Sequence, residues 1–136
     1  MLVVDTNTVA YLYLDPQYLT LLRAVLERDQ HWIAPSLWRS ELRNVLLLYL
    51  RKNLISMDKA IDVMAAAEGL LGGTDYFPAS AHVLSLALAS GCSTYDCEYV
   101  ALARDTGTYL ITFDRKLLAA FPNVAITPTT YLTSTS

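Results

Sequence analysis

Four short apolar runs rich in β-branched and aromatic residues constrain this chain more than any other feature. Leu2-Val3-Val4, Trp32-Ile33-Ala34, Tyr109-Leu110-Ile111-Thr112 and Val124-Ala125-Ile126-Thr127 read as buried strands. Between them lie stretches with helical spacing of apolar residues. Strands that alternate with helices define an α/β chain: a parallel sheet covered by helices in three layers, with right-handed crossovers. In such a sheet a ligand site lies beyond the carboxyl ends of the strands, where strand order reverses. The first run ends in Asp5-Thr6-Asn7, an acid, a hydroxyl and an amide at that position.

The helical stretches are bounded by recognisable signals. Thr8 to Leu14 forms a short helix, and Asp15-Pro16 starts another that runs to about Glu27, with Asp15 as cap and Pro16 at the first helical position. Ser36 is placed to cap a helix reaching Lys52, with Leu37, Trp38, Leu42, Val45, Leu48 and Tyr49 on one face. Ser56 and Asp58 open a further helix that stops near Gly72-Gly73, so the two make an αα-hairpin. Tyr76-Phe77 is a brief extended piece. A helix from Ala79 to Ser90 ends at Gly91, one capped by Ser93 or Thr94 runs to about Asp105 and Gly107, and a short one covers Leu117 and Leu118. The 136 residues suit one domain, spanning 1–136, with a polar, frayed tail over 133–136.

Composition excludes some classes and leaves others open. Apolar residues make up 54% of the chain, yet no uncharged run is long enough to span a bilayer, and the sequence opens directly on a strand without a secretory leader. Cys92 and Cys97 form no CxxC pair, which points to a reducing compartment, by default the cytoplasm. The net charge of −3 argues only weakly against a nucleic-acid partner. With four of the thirteen carboxylates on metal, nine acids face ten Lys and Arg.

Four carboxylates stand where ordinary solvation does not explain them. Asp5 and Asp114 each end a strand, although either could simply cap the helix that follows. Glu41 falls near the middle of the apolar helix face, where an unpaired charge costs several kcal/mol; the plain alternative is a buried salt bridge. Asp96 shares a side with Tyr99, Val100 and Ala103 in the first turn of its helix. Glu98 turns towards Asp105 and solvent and ranks second. Four converging carboxylates call for hard divalent cations, Mg²⁺ or Mn²⁺. Such a site suits phosphodiester cleavage, because the ion polarises the phosphoryl oxygen and activates water without a nucleophilic side chain. Thr6, Asn7 and Thr112 are placed to orient carboxylates or waters from behind. His31 and His82 form no zinc motif, and GxGxxG, P-loop and GxSxG patterns are absent.

Taken in order, Val3-Val4-Asp5-Thr6-Asn7, Ser36-Leu37-Trp38-Arg39-Ser40-Glu41, Tyr95-Asp96-Cys97-Glu98-Tyr99-Val100-Ala101-Leu102-Ala103 and Leu110-Ile111-Thr112-Phe113-Asp114 resemble the PIN-domain ribonucleases, in particular the VapC-type toxins. The resemblance covers essentially the whole chain. It implies a mostly parallel five-stranded sheet between helices, and Asp5, Glu41, Asp96 and Asp114 as the acidic quartet holding Mg²⁺ or Mn²⁺. It also implies an endoribonuclease acting on RNA, a homodimer, and an antitoxin that blocks the site. Arg39, Arg43, Arg115 and Lys116 are candidates to steer the RNA backbone, against ordinary solvated surface. The apolar weight of the hairpin, Leu46-Leu47-Leu48 and Leu50, is either core or a partner surface. The competing readings are a catalytically silent module of the same fold that binds RNA or protein, and a DNA-directed nuclease. A receiver domain wants two adjacent acids after the first strand, where this chain has Thr6-Asn7.

Overall fold

The computed structural model describes residues 1–134. In chain order its elements are β1 (Leu2–Val4), α1 (Thr6–Leu14), α2 (Pro16–Arg28), β2 (Trp32–Ile33), α3 (Trp38–Arg51), α4 (Met57–Leu70), α5 (Ser80–Ser90), α6 (Thr94–Thr106), β3 (Leu110–Ile111), α7 (Arg115–Ala120), β4 (Ala125–Ile126) and α8 (Pro128–Thr133). The strands pair in parallel in the order β2-β1-β3-β4, with Val3 opposite both Ile33 and Leu110, and Ile111 opposite both Val4 and Ile126. The chain leaves β1 towards β2, then returns across β1 to β3 and β4. Strand order therefore reverses between β1 and β3, and the crevice of an open α/β sheet falls at their carboxyl ends.

The sheet is four-stranded rather than five-stranded. The brief extended piece at Tyr76-Phe77 contributes only one bridge, Tyr76 to Pro35, with the Ser36 N–H donating to the Tyr76 carbonyl at 2.9 Å. Pro35 is one partner of this bridge and Pro78 follows Tyr76 by two residues; neither has an N–H to extend a ladder.

Burial follows from the residue types. Val3, Val4, Leu110 and Ile111 are fully enclosed in the sheet, each side chain contributing on the order of 1.5–3 kcal/mol. On α6, Cys97 and Tyr99 to Ala103 are all buried; the helix packs on β1 and β3, with α5 against its other side. Helix α1 starts two residues earlier than its apolar spacing indicates, because Asp5 caps it and accepts from the Thr8 N–H. Ser36 does not cap α3: a turn over residues 36–37 intervenes and the helix begins at Trp38 without a side-chain cap. The buried stripe of α3 is Trp38, Leu42 and Leu46, while Leu48, expected inside, is 49% exposed. Helix α8 was not anticipated. Thr127 caps it, Pro128 opens it and it packs on α2. Of the tail expected to fray, Thr133 closes α8 with its hydroxyl on the Thr129 carbonyl, and residues 135 and 136 lie outside the described residues.

Candidate active-site cleft

One cleft of about 390 Å³ opens at the strand-order reversal. Its walls include Asp5, Glu41, Asp96 and Asp114, together with Thr6, Asn7, Asn44 and Tyr95. Four elements thus bring the four carboxylates to one place: the ends of β1 and β3, a face of α3 and the first turn of α6.

The strand-end pair is held by hydroxyls and backbone. Thr112, fully buried, donates to Asp5 Oδ2, and its oxygen accepts the Asp114 N–H at 3.0 Å. Asp5 Oδ1 accepts from the Thr8 N–H at 3.0 Å and the Thr8 hydroxyl at 2.6 Å. Asp114 Oδ1 caps α7, accepting from Lys116 N at 2.8 Å and Leu117 N at 3.1 Å. Burial raises the Asp5 carboxyl above the ordinary carboxylate range against the pull of these hydrogen bonds, and the Asp114 charge adds to the rise.

The helix-borne pair is held differently. Glu41 lies at the edge of the buried α3 stripe, not at its middle, on a face that turns Leu37, Ser40, Glu41, Asn44 and Val45 to the cleft. Its Oε1 accepts from the Tyr99 phenol at 2.6 Å and from the Thr6 hydroxyl at 2.9 Å. Tyr99 is 2% exposed; burial, then the Glu41 charge, push its phenol far above the ordinary range, so it stays a donor. Burial raises Asp96, as do the charges of Asp114 and Glu41, while Lys116 acts in the opposite direction. Glu98 does not turn fully to solvent: it is half-buried, and burial and the Glu41 charge raise its carboxyl.

Among the described residues none of the four carboxylates is in a salt bridge, which sets aside the buried-ion-pair alternative for Glu41. Nor do any three His, Cys, Asp or Glu side chains among them group closely enough to cage one ion. The donor set fits a hard cation all the same, since Mg²⁺ keeps several waters and is often held by one or two carboxylates plus substrate phosphates. It does not present a closed four-carboxylate cage.

The four cations proposed to steer RNA separate. Arg39 donates to both oxygens of Glu68, at 2.8 and 3.1 Å, and to Asp75, and it stacks on Trp38. Its charge is consumed in tying α3 to α4. Arg43, Arg115 and Lys116 are exposed, and none of them lines the cleft. Lys116 is felt at Asp96. Thr8 and Tyr99 were missed as site residues: Thr8 reads as the start of a helix and Tyr99 as core. The signal available for Thr8 was its place three residues after a helix-capping Asp; Tyr99 gives none beyond sharing a helix side with Asp96.

The fold and the cleft agree with what sequence comparison finds: residues 2–124 match the PIN domain, and the chain belongs to that family. A curated relative, Ribonuclease VapC3 of Pyrobaculum aerophilum, is 29% identical over 130 residues, 93% of this chain and 98% of the relative. Among solved structures, PAE2754 from Pyrobaculum aerophilum superposes with a TM-score of 0.76 at 22% identity, covering 96% of this chain and 85% of that one. FitAcB from Neisseria gonorrhoeae gives 0.70 at 20% identity, covering 95% and 99%. These two likenesses establish the shared fold.

Proposed function

We propose that this chain is a divalent-metal-dependent endoribonuclease, the toxin of a toxin–antitoxin pair, with Asp5, Glu41, Asp96 and Asp114 as its working carboxylates. The observation that carries this reading is that all four line one cleft with, among the described residues, no cationic side chain paired to any of them. The relative named Ribonuclease VapC3 and membership of the PIN family support the reaction class.

When bound, Mg²⁺ or Mn²⁺ supplies the Lewis acidity that hydrolysis of a phosphodiester needs. Asp5, Asp96 and Asp114 would hold it, and Glu41 would ligate it directly or through a water. Thr112 and Thr8 fix the rotamer of Asp5, and the α7 amides leave Asp114 Oδ2 for the cleft. Glu41 takes the proton of the attacking water. The water oxygen bonds to phosphorus as the bond to the leaving ribose oxygen breaks; that oxygen takes a proton from solvent and is released as a hydroxyl, and Glu41 gives up its proton to solvent. Asn7, exposed at the rim, is placed to orient substrate or water, and Lys116 meets the RNA backbone. Glu98 adds charge behind Glu41.

The antitoxin and a second copy of the chain are partners in this reading. Exposed apolar residues of the hairpin, Leu48, Leu54, Met57 and Ile61, offer a surface for one of them. No helix among the described residues is long and apolar enough to cross a membrane, and the two free, buried thiols accord with action in the cytoplasm.

The test is cleavage of a mixed RNA pool and, separately, of single-stranded DNA with Mg²⁺, Mn²⁺ or EDTA, comparing the wild type with Asp96→Asn. Cleavage that needs metal and is lost in the variant is expected. Equal behaviour of the two proteins overturns the assignment and favours a binding module, and cleavage confined to single-stranded DNA favours the DNA-directed alternative.

A further inference from the structure

Among the described residues Tyr99 is the one buried tyrosine whose oxygen reaches the cleft's carboxylates. It is flanked on α6 by Val100, Ala101 and Ala103, all fully enclosed. Packing alone at such a place is satisfied by phenylalanine, since a buried hydroxyl must find a partner or lose its hydration without return. Here the partner is Glu41 Oε1 at 2.6 Å, a length typical of an O–H donor on a charged carboxylate. Thr6 Oγ1 reaches the same oxygen at 2.9 Å and the Tyr99 oxygen at 2.8 Å. Two hydroxyl protons serve these three contacts, and the shortest identifies the Tyr99 proton as directed to Glu41. Among the described residues Glu41 Oε2 has no hydrogen-bond donor.

The three side chains come from α1, α3 and α6. Tyr99 sits three residues beyond Asp96, on the same side of α6. The helix that presents Asp96 to the cleft therefore also grips the carboxylate facing it.

We propose that Tyr99 is a positioning residue. With Thr6 it occupies one oxygen of Glu41, fixes that side chain relative to Asp96, and leaves Oε2 as the single oxygen offered to a divalent cation or its water. This rests on the proposed divalent-cation role of the cleft. It assigns the phenol a task that core packing does not require, and it makes Glu41 a one-oxygen participant.

The experiment is Mn²⁺ binding to the whole chain, followed by electron paramagnetic resonance, for the wild type, Tyr99→Phe, Glu41→Gln and the double variant. Thermal unfolding and RNA cleavage are recorded alongside. Removing a group that orients a metal-binding side chain typically costs 10- to 100-fold in affinity. Tyr99→Phe should weaken Mn²⁺ binding about 10-fold, retain cooperative unfolding, and add nothing further in the Glu41→Gln background. Unchanged Mn²⁺ affinity overturns the proposal, as does a loss that persists in full when Glu41 is already Gln. Should Tyr99→Phe fail to fold, Thr6→Val takes its place with the same expectation. If Mn²⁺ binds with this dependence but no RNA is cut, the ribonuclease reading fails and the role of Tyr99 stands. If RNA is cut and Tyr99→Phe binds Mn²⁺ as the wild type does, the reverse holds.

Discussion

The two halves of the cleft hold their carboxylates by different means. On the strand side, Asp5 and Asp114 are joined through one residue, Thr112, which donates to the first and accepts from the backbone of the second. Everything in that half is local to the β1 and β3 ends, and parallel pairing of Val4 with Ile111 sets its spacing. On the helix side, Glu41 hangs from hydroxyls that arrive from two other helices, 35 and 58 residues away in the chain. The strand half is inherited from sheet register. The helix half exists only once α1, α3 and α6 have packed. Damage to the first should therefore act through the geometry of Asp5 and Asp114 together, and damage to the second through Glu41 alone.

The largest effect that separates the halves is expected from Thr112→Val. The substitution keeps the shape of a fully buried side chain but removes a donor from Asp5 and an acceptor from the Asp114 N–H. Loss of such supports costs 10- to 100-fold in metal affinity or activity, and an orphaned partner costs about 1–3 kcal/mol of stability. Cleavage rate and urea unfolding of the variant measure both. A rate within a factor of two of the wild type would show that the strand ends hold their acids by backbone alone.

The same division explains what could be read from the sequence. Strand runs such as Val3-Val4 and Leu110-Ile111 end visibly in Asp5 and Thr112-Phe113-Asp114, so the sheet half of the cleft follows from local pattern. Glu41 drew notice as an acid among apolar residues. Its true setting, at the edge of the stripe Trp38, Leu42 and Leu46, depends on how α3 is rotated against its neighbours, which one helix cannot specify. Tyr99 was illegible because a phenol and a phenyl ring pattern alike until the facing residue is known. Arg39 looked free because Glu68 and Asp75, its partners, lie 29 and 36 residues away. The extended piece at Tyr76-Phe77 stays a single bridge where prolines remove ladder donors, and α8 lies in a threonine-rich stretch of low apolar content.

Acidity acts on both halves at once and should give a smaller effect. In the folded, cation-free chain, burial raises Asp5, Asp96 and Glu98, aided at Asp5 and Asp96 by Asp114 and at Glu98 by Glu41. Their ordinary values are 3.8 for Asp and 4.5 for Glu. Above the raised values all three are ionised and destabilise the fold. As pH falls through the raised values the folded state takes up protons before the unfolded state does, so stability rises; the gain is complete below the ordinary values. Divalent cations compete with those same protons, so the stabilisation they confer shrinks over the same window. Thermal unfolding followed as pH falls from 7 towards the ordinary carboxylate values should show Tm climbing in EDTA while the increment from added Mg²⁺ declines. A Tm in EDTA that falls over this interval would mean that burial does not hold these carboxylates above their ordinary values.

The smallest effects distinguish two cations that the sequence presents alike. Arg39 is spent on Glu68 and Asp75, and hydrogen bonds to both raise its already high proton affinity further. Lys116 is exposed, carries no salt bridge among the described residues, and is felt at Asp96. Arg39→Gln should leave RNA affinity and its salt dependence unchanged while lowering stability by about 0.2–1 kcal/mol, the worth of partly exposed ion pairs. Lys116→Gln should leave stability unchanged and reduce the slope of log affinity against log salt by about 0.7, one phosphate contact on a single strand. Filter binding of a labelled RNA to the Asp96→Asn chain at several salt concentrations measures the slope without cleavage. If Arg39→Gln changes the slope and Lys116→Gln does not, RNA crosses the α3–α4 side of the molecule, and the path from cleft to backbone must be redrawn through the hairpin.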